Sequence, residues 1–91
     1  MRNTKLPKTV EIDILYTVPL PFTALEKFVY ENENRGIGSL ARETNRTERG
    51  LSRSYDSART KVRALKYLIE RAEKFNKPEA LRVLRAVVLN P

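Results

Sequence analysis

Hydrophobic residues recur at alternating spacings of four and three positions through the second half of the sequence. Spacings of three and four place side chains on one face of an α-helix. The stripe predicts one long helix from Glu48 to Phe75, about 28 residues or ~42 Å in length, with Thr47 as its N-cap. The stripe consists of Leu51, Tyr55, Ala58, Val62, Leu65, Ile69 and Ala72.

Shorter apolar patterns predict three further helices, at 24–33, 40–44 and 79–89. Thr23 and Glu26 have the three-residue spacing of a capping box, which fixes the start of the first helix. Ser39 is of a residue type suited to the N-cap position of the second. Four helices therefore account for most of the chain after residue 21.

The predicted helices are separated by short links. In the first link, Asn45 suits a turn because asparagine tolerates positive φ. In the second link, Asn76 fits the position just beyond the long helix, and Pro78 fits the first position of the last helix. The short second link predicts an antiparallel pair of helices. We expect this pair to pack Leu65, Ile69 and Ala72 on Leu81, Leu84 and Val88, although the stripe also has the spacing of a self-association surface.

Before the helices, residues 8–18 alternate apolar Val10, Ile12 and Ile14 with acidic Glu11 and Asp13. A period of two predicts a half-buried strand. No second strand is evident, so this one would pair with the same strand of another copy, pack as an extended arm, or be a loop. Prolines at 19 and 21 end it.

The predicted fold is therefore mainly α: a helix-turn-helix bundle of about four helices with an N-terminal extended arm or strand. Residues 1–21 form the arm, with dimerisation as its candidate role. Residues 22–91 form the helix-turn-helix domain with its C-terminal helical hairpin. A chain of 91 residues has the size of one domain.

The distribution of charge along the sequence indicates what kind of partner this fold would bind. The formal net charge is +7, and residues 35–66 alone hold nine basic and three acidic side chains, a net charge of +6. A concentration of this kind favours an anionic partner, nucleic acid first, although many basic helix faces are ordinary solvated surface.

The composition also narrows the class of protein. The sequence has no His and no Cys, so thiol catalysis, Cys-based zinc sites and the commonest general base are excluded. We expect no catalytic residue, no metal and no cofactor. No apolar run approaches the ~20 residues that span a bilayer, and the N-terminus does not resemble a signal peptide. The expectation is a cytoplasmic, non-enzymatic protein without a membrane partner.

The second helix, its turn and the start of the long helix have the proportions of a helix-turn-helix. Ala41 supplies the small residue where the two helices cross, Asn45 the turn residue, and Leu40 and Leu51 the apolar anchors. In this motif the N-terminal residues of the second helix contact base edges in the major groove.

The helical geometry then selects candidate DNA-binding residues. Arg49 and Arg53 point away from the apolar stripe, and Asp56 lies on the flank, where it would orient Arg53 or accept a hydrogen bond from a cytosine amino group. Arg46 lies at the turn. The candidates for base edges are Thr47, Arg49, Ser52 and Arg53, and those for the DNA backbone are Arg42, Arg59, Lys61 and Arg63.

Three features of residues 18–65 form a recognisable set: Leu25-Glu26 at the start of the first helix, the Asn45-Arg46 turn, and the Arg-rich helix with Tyr55, Ala58 and Lys61. With these features the segment resembles region 4 of sigma factors, especially small prokaryotic sigma-like proteins. The resemblance implies DNA binding by the long helix and contact with RNA polymerase. Leu51-Ser52 departs from the bulkier residues of that group, so no base preference follows.

Two other functions remain open on the sequence alone. A protein-interaction module would use the stripe or the strand to bind RNA polymerase, another regulator or a second copy in a homodimer. An RNA-binding protein would use exposed aromatic residues, for which Tyr67, beside Arg63 and Arg71, is the one candidate. Double-stranded DNA is the partner that the sequence favours.

Overall fold

The computed structural model describes the backbone of residues 6–89 and the side chains of residues 6–87. Within these bounds the prediction of a mainly α fold with four helices and an N-terminal β segment is confirmed. The elements are β1 (Thr9–Glu11), β2 (Leu15–Thr17), α1 (Ala24–Glu31), a 3-10 turn (Glu33–Arg35), α2 (Ile37–Thr44), α3 (Glu48–Lys74) and α4 (Pro78–Leu89).

The N-terminal segment is a hairpin, and the prediction of one unpartnered strand was wrong. β1 and β2 pair antiparallel, with Val10 opposite Tyr16. The chain reverses at residues 12–14, where the Ile14 N–H donates to the Asp13 carboxylate at 3.0 Å. The reversal sends Ile14 to solvent, 62% exposed, while Ile12 is buried at 3%. Because each strand finds its backbone partner in the same chain, strand pairing between copies is not needed.

Local capping signals set the helix starts. The Thr23–Glu26 capping box at α1 is confirmed in both directions, and the Thr47 hydroxyl accepts from the Gly50 N–H at the start of α3. The predicted Ser39 cap was wrong: α2 begins at Ile37, so Ser39 lies inside it. Gly36, with a φ of 89°, occupies the cap position, and glycine adopts this backbone conformation without steric cost.

The end of α2 and the link after α3 follow the predicted residues, whereas α3 ends at Lys74, one residue before the predicted Phe75. Asn45 ends α2 in the left-handed conformation, with a φ of 58°. Asn76 has a φ of 56° in the link after α3, and Pro78 is the first residue of α4. α1 ends at Glu31, two residues before the predicted end, because the 3-10 turn follows.

The helices enclose two hydrophobic clusters at different levels of α3. The head cluster joins α1, α2 and the start of α3 through Val29, Leu40, Ala41 and Leu51. The base cluster joins the rest of α3 to α4, the hairpin and Phe22. Leu65, Leu68 and Ala72 of α3 pack there with Ala80, Leu84 and Val87 of α4. Packing of α3 on the last helix is thus intramolecular, as expected, but Ile69 and Leu81 are only partly buried against the cluster and Leu68, Ala80 and Val87 supply buried contacts that were not predicted. The predicted contact of Val88 falls outside the described side chains. Between residues 6 and 89, no helix combines the length and hydrophobicity needed to cross a bilayer.

Candidate nucleic-acid interface

The head cluster holds α2 and the start of α3 in a fixed corner. Leu40 and Leu51 are fully buried, and Ala41 is 6% exposed where the helices approach each other. The Arg46 N–H donates to the Ala41 carbonyl at 3.0 Å, which closes the turn around the left-handed Asn45. The predicted segment therefore consists of two helices packed across a tight turn, which we call the helix-turn-helix corner.

The outer side of this corner is polar and exposed. All four side chains predicted to reach base edges are exposed: Thr47, Arg49, Ser52 and Arg53. Leu51 points the opposite way, into the head cluster. Because Thr47 satisfies only the Gly50 N–H, other N–H groups of the first turn of α3 remain available to an anion.

The arginines divide into two groups by location. Arg35, Arg71, Arg82 and Arg85 each form an ion pair with a carboxylate. Among residues 6–89, the arginines outside any such pair are all exposed and all lie on α2, its turn or the first 16 residues of α3: Arg42, Arg46, Arg49, Arg53, Arg59 and Arg63. The unpaired arginines are thus concentrated on the helix-turn-helix corner and the helix that leaves it, whereas unpaired lysines also occur elsewhere in the described part of the chain.

Lys61 differs from the other candidates, because its ammonium is bound inside the protein. It donates to the Glu26 carboxylate at 2.6 Å and to the Pro21 carbonyl at 3.2 Å. Ser57 donates to the other Glu26 oxygen at 2.6 Å. Burial raises the pKa of this carboxyl, but the hydrogen bonds and the charge of Lys61 outweigh that effect and lower the pKa from 4.5 to about 2. Lys61 therefore links α1 to α3 through this ion pair. Its ammonium is already bound within the protein, so Lys61 is not part of the proposed interface.

Tyr55 connects the interface to α1. Its ring stacks on Tyr30 at 5.9 Å between centroids, and its hydroxyl donates to the Glu33 carboxylate, which raises the pKa of the tyrosine. The guanidinium of Arg59 lies over the same ring at 5.9 Å. The cation–π attraction between the guanidinium and the ring restricts the Arg59 side chain, although the residue stays exposed to solvent.

Two acidic residues lie within the interface. Glu48 approaches the first turn of α2, where a Cβ added to Gly38 would lie 3.2 Å from its carboxylate oxygen. Asp56 is exposed, and within the described part of the chain it forms no ion pair with Arg53. The predicted orienting role for Asp56 therefore has no contact to support it, whereas hydrogen bonding to a base remains a prediction.

The structure adds one group that the sequence did not indicate, the Glu26 carboxylate beneath Lys61. The two residues are 35 positions apart, and Glu26 already had a local explanation in the capping box, so no sequence signal pointed to the pair. Across residues 6–89, His, Cys, Asp and Glu side chains form no group of three or more that could hold a metal ion.

Comparison with known proteins yields no matching family model, curated protein or solved structure. The resemblance to sigma-factor region 4 therefore stays a prediction.

Proposed function

We propose that the protein is a sequence-specific DNA-binding transcriptional regulator, and that the start of α3 lies in the major groove. The observation that carries this proposal is the concentration of unpaired, exposed arginines on one helix-turn-helix corner, while the described arginines elsewhere are ion-paired. Arginines that only kept the protein soluble could lie anywhere on its surface, whereas arginines that bind phosphate must be unpaired and lie along one surface.

The proposed contacts follow from position along the corner. Thr47, Arg49, Ser52 and Arg53 are the residues nearest the start of α3 and would reach base edges, where arginine binds the O6 and N7 atoms of guanine. Phosphate contacts would come from Arg42 on α2, Arg46 at the turn, and Arg59 and Arg63 further along α3. The rigid head cluster would hold these groups in register with the duplex.

The proposal is tested by removing equal charge from two places. Arg49→Ala with Arg53→Ala should weaken binding to a selected duplex at least about 30-fold, since each base contact contributes ~1–3 kcal/mol. Arg82→Ala with Arg85→Ala removes the same charge from α4 and should weaken it only a few-fold. Fluorescence anisotropy with a 30-base-pair duplex selected from a random pool measures both.

Salt dependence provides the second measurement. Four phosphate contacts predict that the logarithm of the association constant falls with the logarithm of salt concentration with a slope near −3.6, at ~0.9 per contact. An affinity that does not change with salt, or equal losses in the two double variants, would refute the proposed interface. Tighter binding to single-stranded RNA of the same sequence would instead favour the RNA-binding alternative.

Partners and location remain part of the proposal. The resemblance to sigma factors implies that the regulator would also bind RNA polymerase, and we propose that it acts in the cytoplasm. The hairpin removes the reason to expect a strand-paired dimer. A homodimer on two half-sites would therefore need another surface, and sedimentation of the full chain with and without DNA would detect it.

A further inference from the structure

A hydrophobic groove of about 310 Å³ lies between α1 and α3, below the DNA-binding corner. We call it the α1–α3 groove. Its floor and walls are almost wholly apolar and are formed by Phe22, Tyr30, Val62, Leu65 and Ile69. The volume is at the lower end of the range for small-molecule sites, ~300–1,000 Å³.

The groove exists because α1 is much shorter than the helix on which it packs. α1 has eight residues and α3 has 27, or about 12 Å against about 40 Å at 1.5 Å per residue. The stripe on α3 continues past the end of α1, so Val62 and Ile69 are only partly buried while Leu65 between them is 2% exposed. One wall is held in place by the Tyr30–Tyr55 stack.

The rim of the groove is charged. Lys27 lies on the α1 side and Lys66 on the α3 side, and neither belongs to an ion pair among the described residues. Lysines of this kind can lay their methylene stems along an apolar wall and direct their ammonium groups to an anion. Glu31, one turn beyond Lys27, is the third rim group and gives the rim a net charge of +1.

We infer that the α1–α3 groove binds a small hydrophobic monoanion, an aliphatic or aromatic carboxylate or sulfonate. Its apolar body would cover Val62 and Ile69, and its anionic group would lie between Lys27 and Lys66. The apolar floor disfavours a bare phosphate, the volume is too small for a peptide helix, and Glu31 disfavours a dianion. This site is separate from the residues proposed to bind DNA, so either proposal can fail alone.

The test uses 8-anilino-1-naphthalenesulfonate as the fluorescent probe on the full chain without DNA. It should bind at one site, and decanoate should displace it at a concentration at least about tenfold lower than 1-decanol of the same chain length. Equal displacement by the two would overturn the role of the lysines, and no displacement by either would overturn the site.

Four variants locate the binding. Lys27→Gln with Lys66→Gln should reduce the preference for decanoate over decanol to below about twofold, while Lys74→Gln with Lys77→Gln, which removes the same charge near the link to α4, should leave it unchanged. Glu31→Gln should tighten decanoate binding a few-fold. Equal losses in the two lysine pairs would mean that the anion responds only to net charge, and the inference would be wrong. Arg49→Ala with Arg53→Ala should retain full decanoate binding.

Discussion

The guanidinium of Arg71 contacts the carboxylate of Asp13, 58 residues earlier in the chain. The same guanidinium lies over the rings of Tyr16, Tyr67 and Phe75, at 5.4–6.0 Å from their centroids. The ion pair lowers the pKa of Asp13 from 3.8 to about 2 and raises that of Arg71. One side chain of α3 thus holds the turn of the hairpin and is surrounded by aromatic rings.

We therefore predict that Asp13→Asn loosens the hairpin without unfolding the helices. Amide hydrogens of residues 9–18 should exchange at least about tenfold faster, because local opening no longer breaks a charged hydrogen bond. Hydrogen exchange followed by mass spectrometry measures this, with amides of α2 as the internal reference. Unchanged exchange in the hairpin would show that the apolar contacts of Val10 and Ile12 suffice.

The hairpin illustrates why part of the fold could not be predicted from the sequence. Alternation over residues 8–18 fits one long strand as well as two short ones, and only packing of Val10 and Ile12 on the base cluster distinguishes them. The start of α1 and the end of α2 were predictable because their signals are local: Thr23 and Glu26 are three residues apart, and Asn45 adopts the left-handed conformation of the turn. The Glu26–Lys61 pair had no such local signal.

The Glu26–Lys61 ion pair makes the stability of the fold depend on pH. The folded pKa of Glu26, about 2, lies below the ordinary 4.5, so its contribution is present above pH 4.5 and is lost as the pH falls towards 2. We predict that the melting temperature of the wild type falls across this range and that Glu26→Gln shows a smaller fall. At pH 7 the variant should melt at least about 4 °C lower, the shift expected from ~1 kcal/mol in a domain of this size.

Circular dichroism melts at pH 7, 5, 4, 3 and 2 measure both effects. Glu70→Gln is the matched control, because Glu70 is an exposed carboxylate of α3, and it should keep the wild-type dependence. Asp13 titrates in the same window, so some fall should persist in Glu26→Gln. A fall equal to that of the wild type would show that Glu26 does not contribute.

The turn of the helix-turn-helix corner provides a conformational test. Asn45 has a φ of 58°, a backbone region that costs most L-residues ~1–2 kcal/mol and glycine almost nothing. Asn45→Ala should therefore lower the free energy of unfolding by about 1 kcal/mol, whereas Asn45→Gly should change it by less than about 0.5 kcal/mol. Urea denaturation measures both, and an alanine variant as stable as the glycine variant would contradict the role of the turn.

The last prediction separates base reading from phosphate binding at the start of α3. Arg49→Lys with Arg53→Lys keeps both charges but removes the planar fork that binds guanine through two hydrogen bonds. If these arginines read bases, the variant should lose at least about tenfold in affinity for the selected duplex and almost none for a scrambled duplex. Its salt dependence should be unchanged, because the number of phosphate contacts is the same.

Arg42→Lys with Arg63→Lys is the matched control, since both residues are exposed and are assigned to phosphate. It should bind both duplexes within about twofold of the wild type. Equal losses on the two duplexes for the Arg49 and Arg53 variant would mean that these residues bind phosphate, and sequence recognition would then have to come from Thr47 and Ser52.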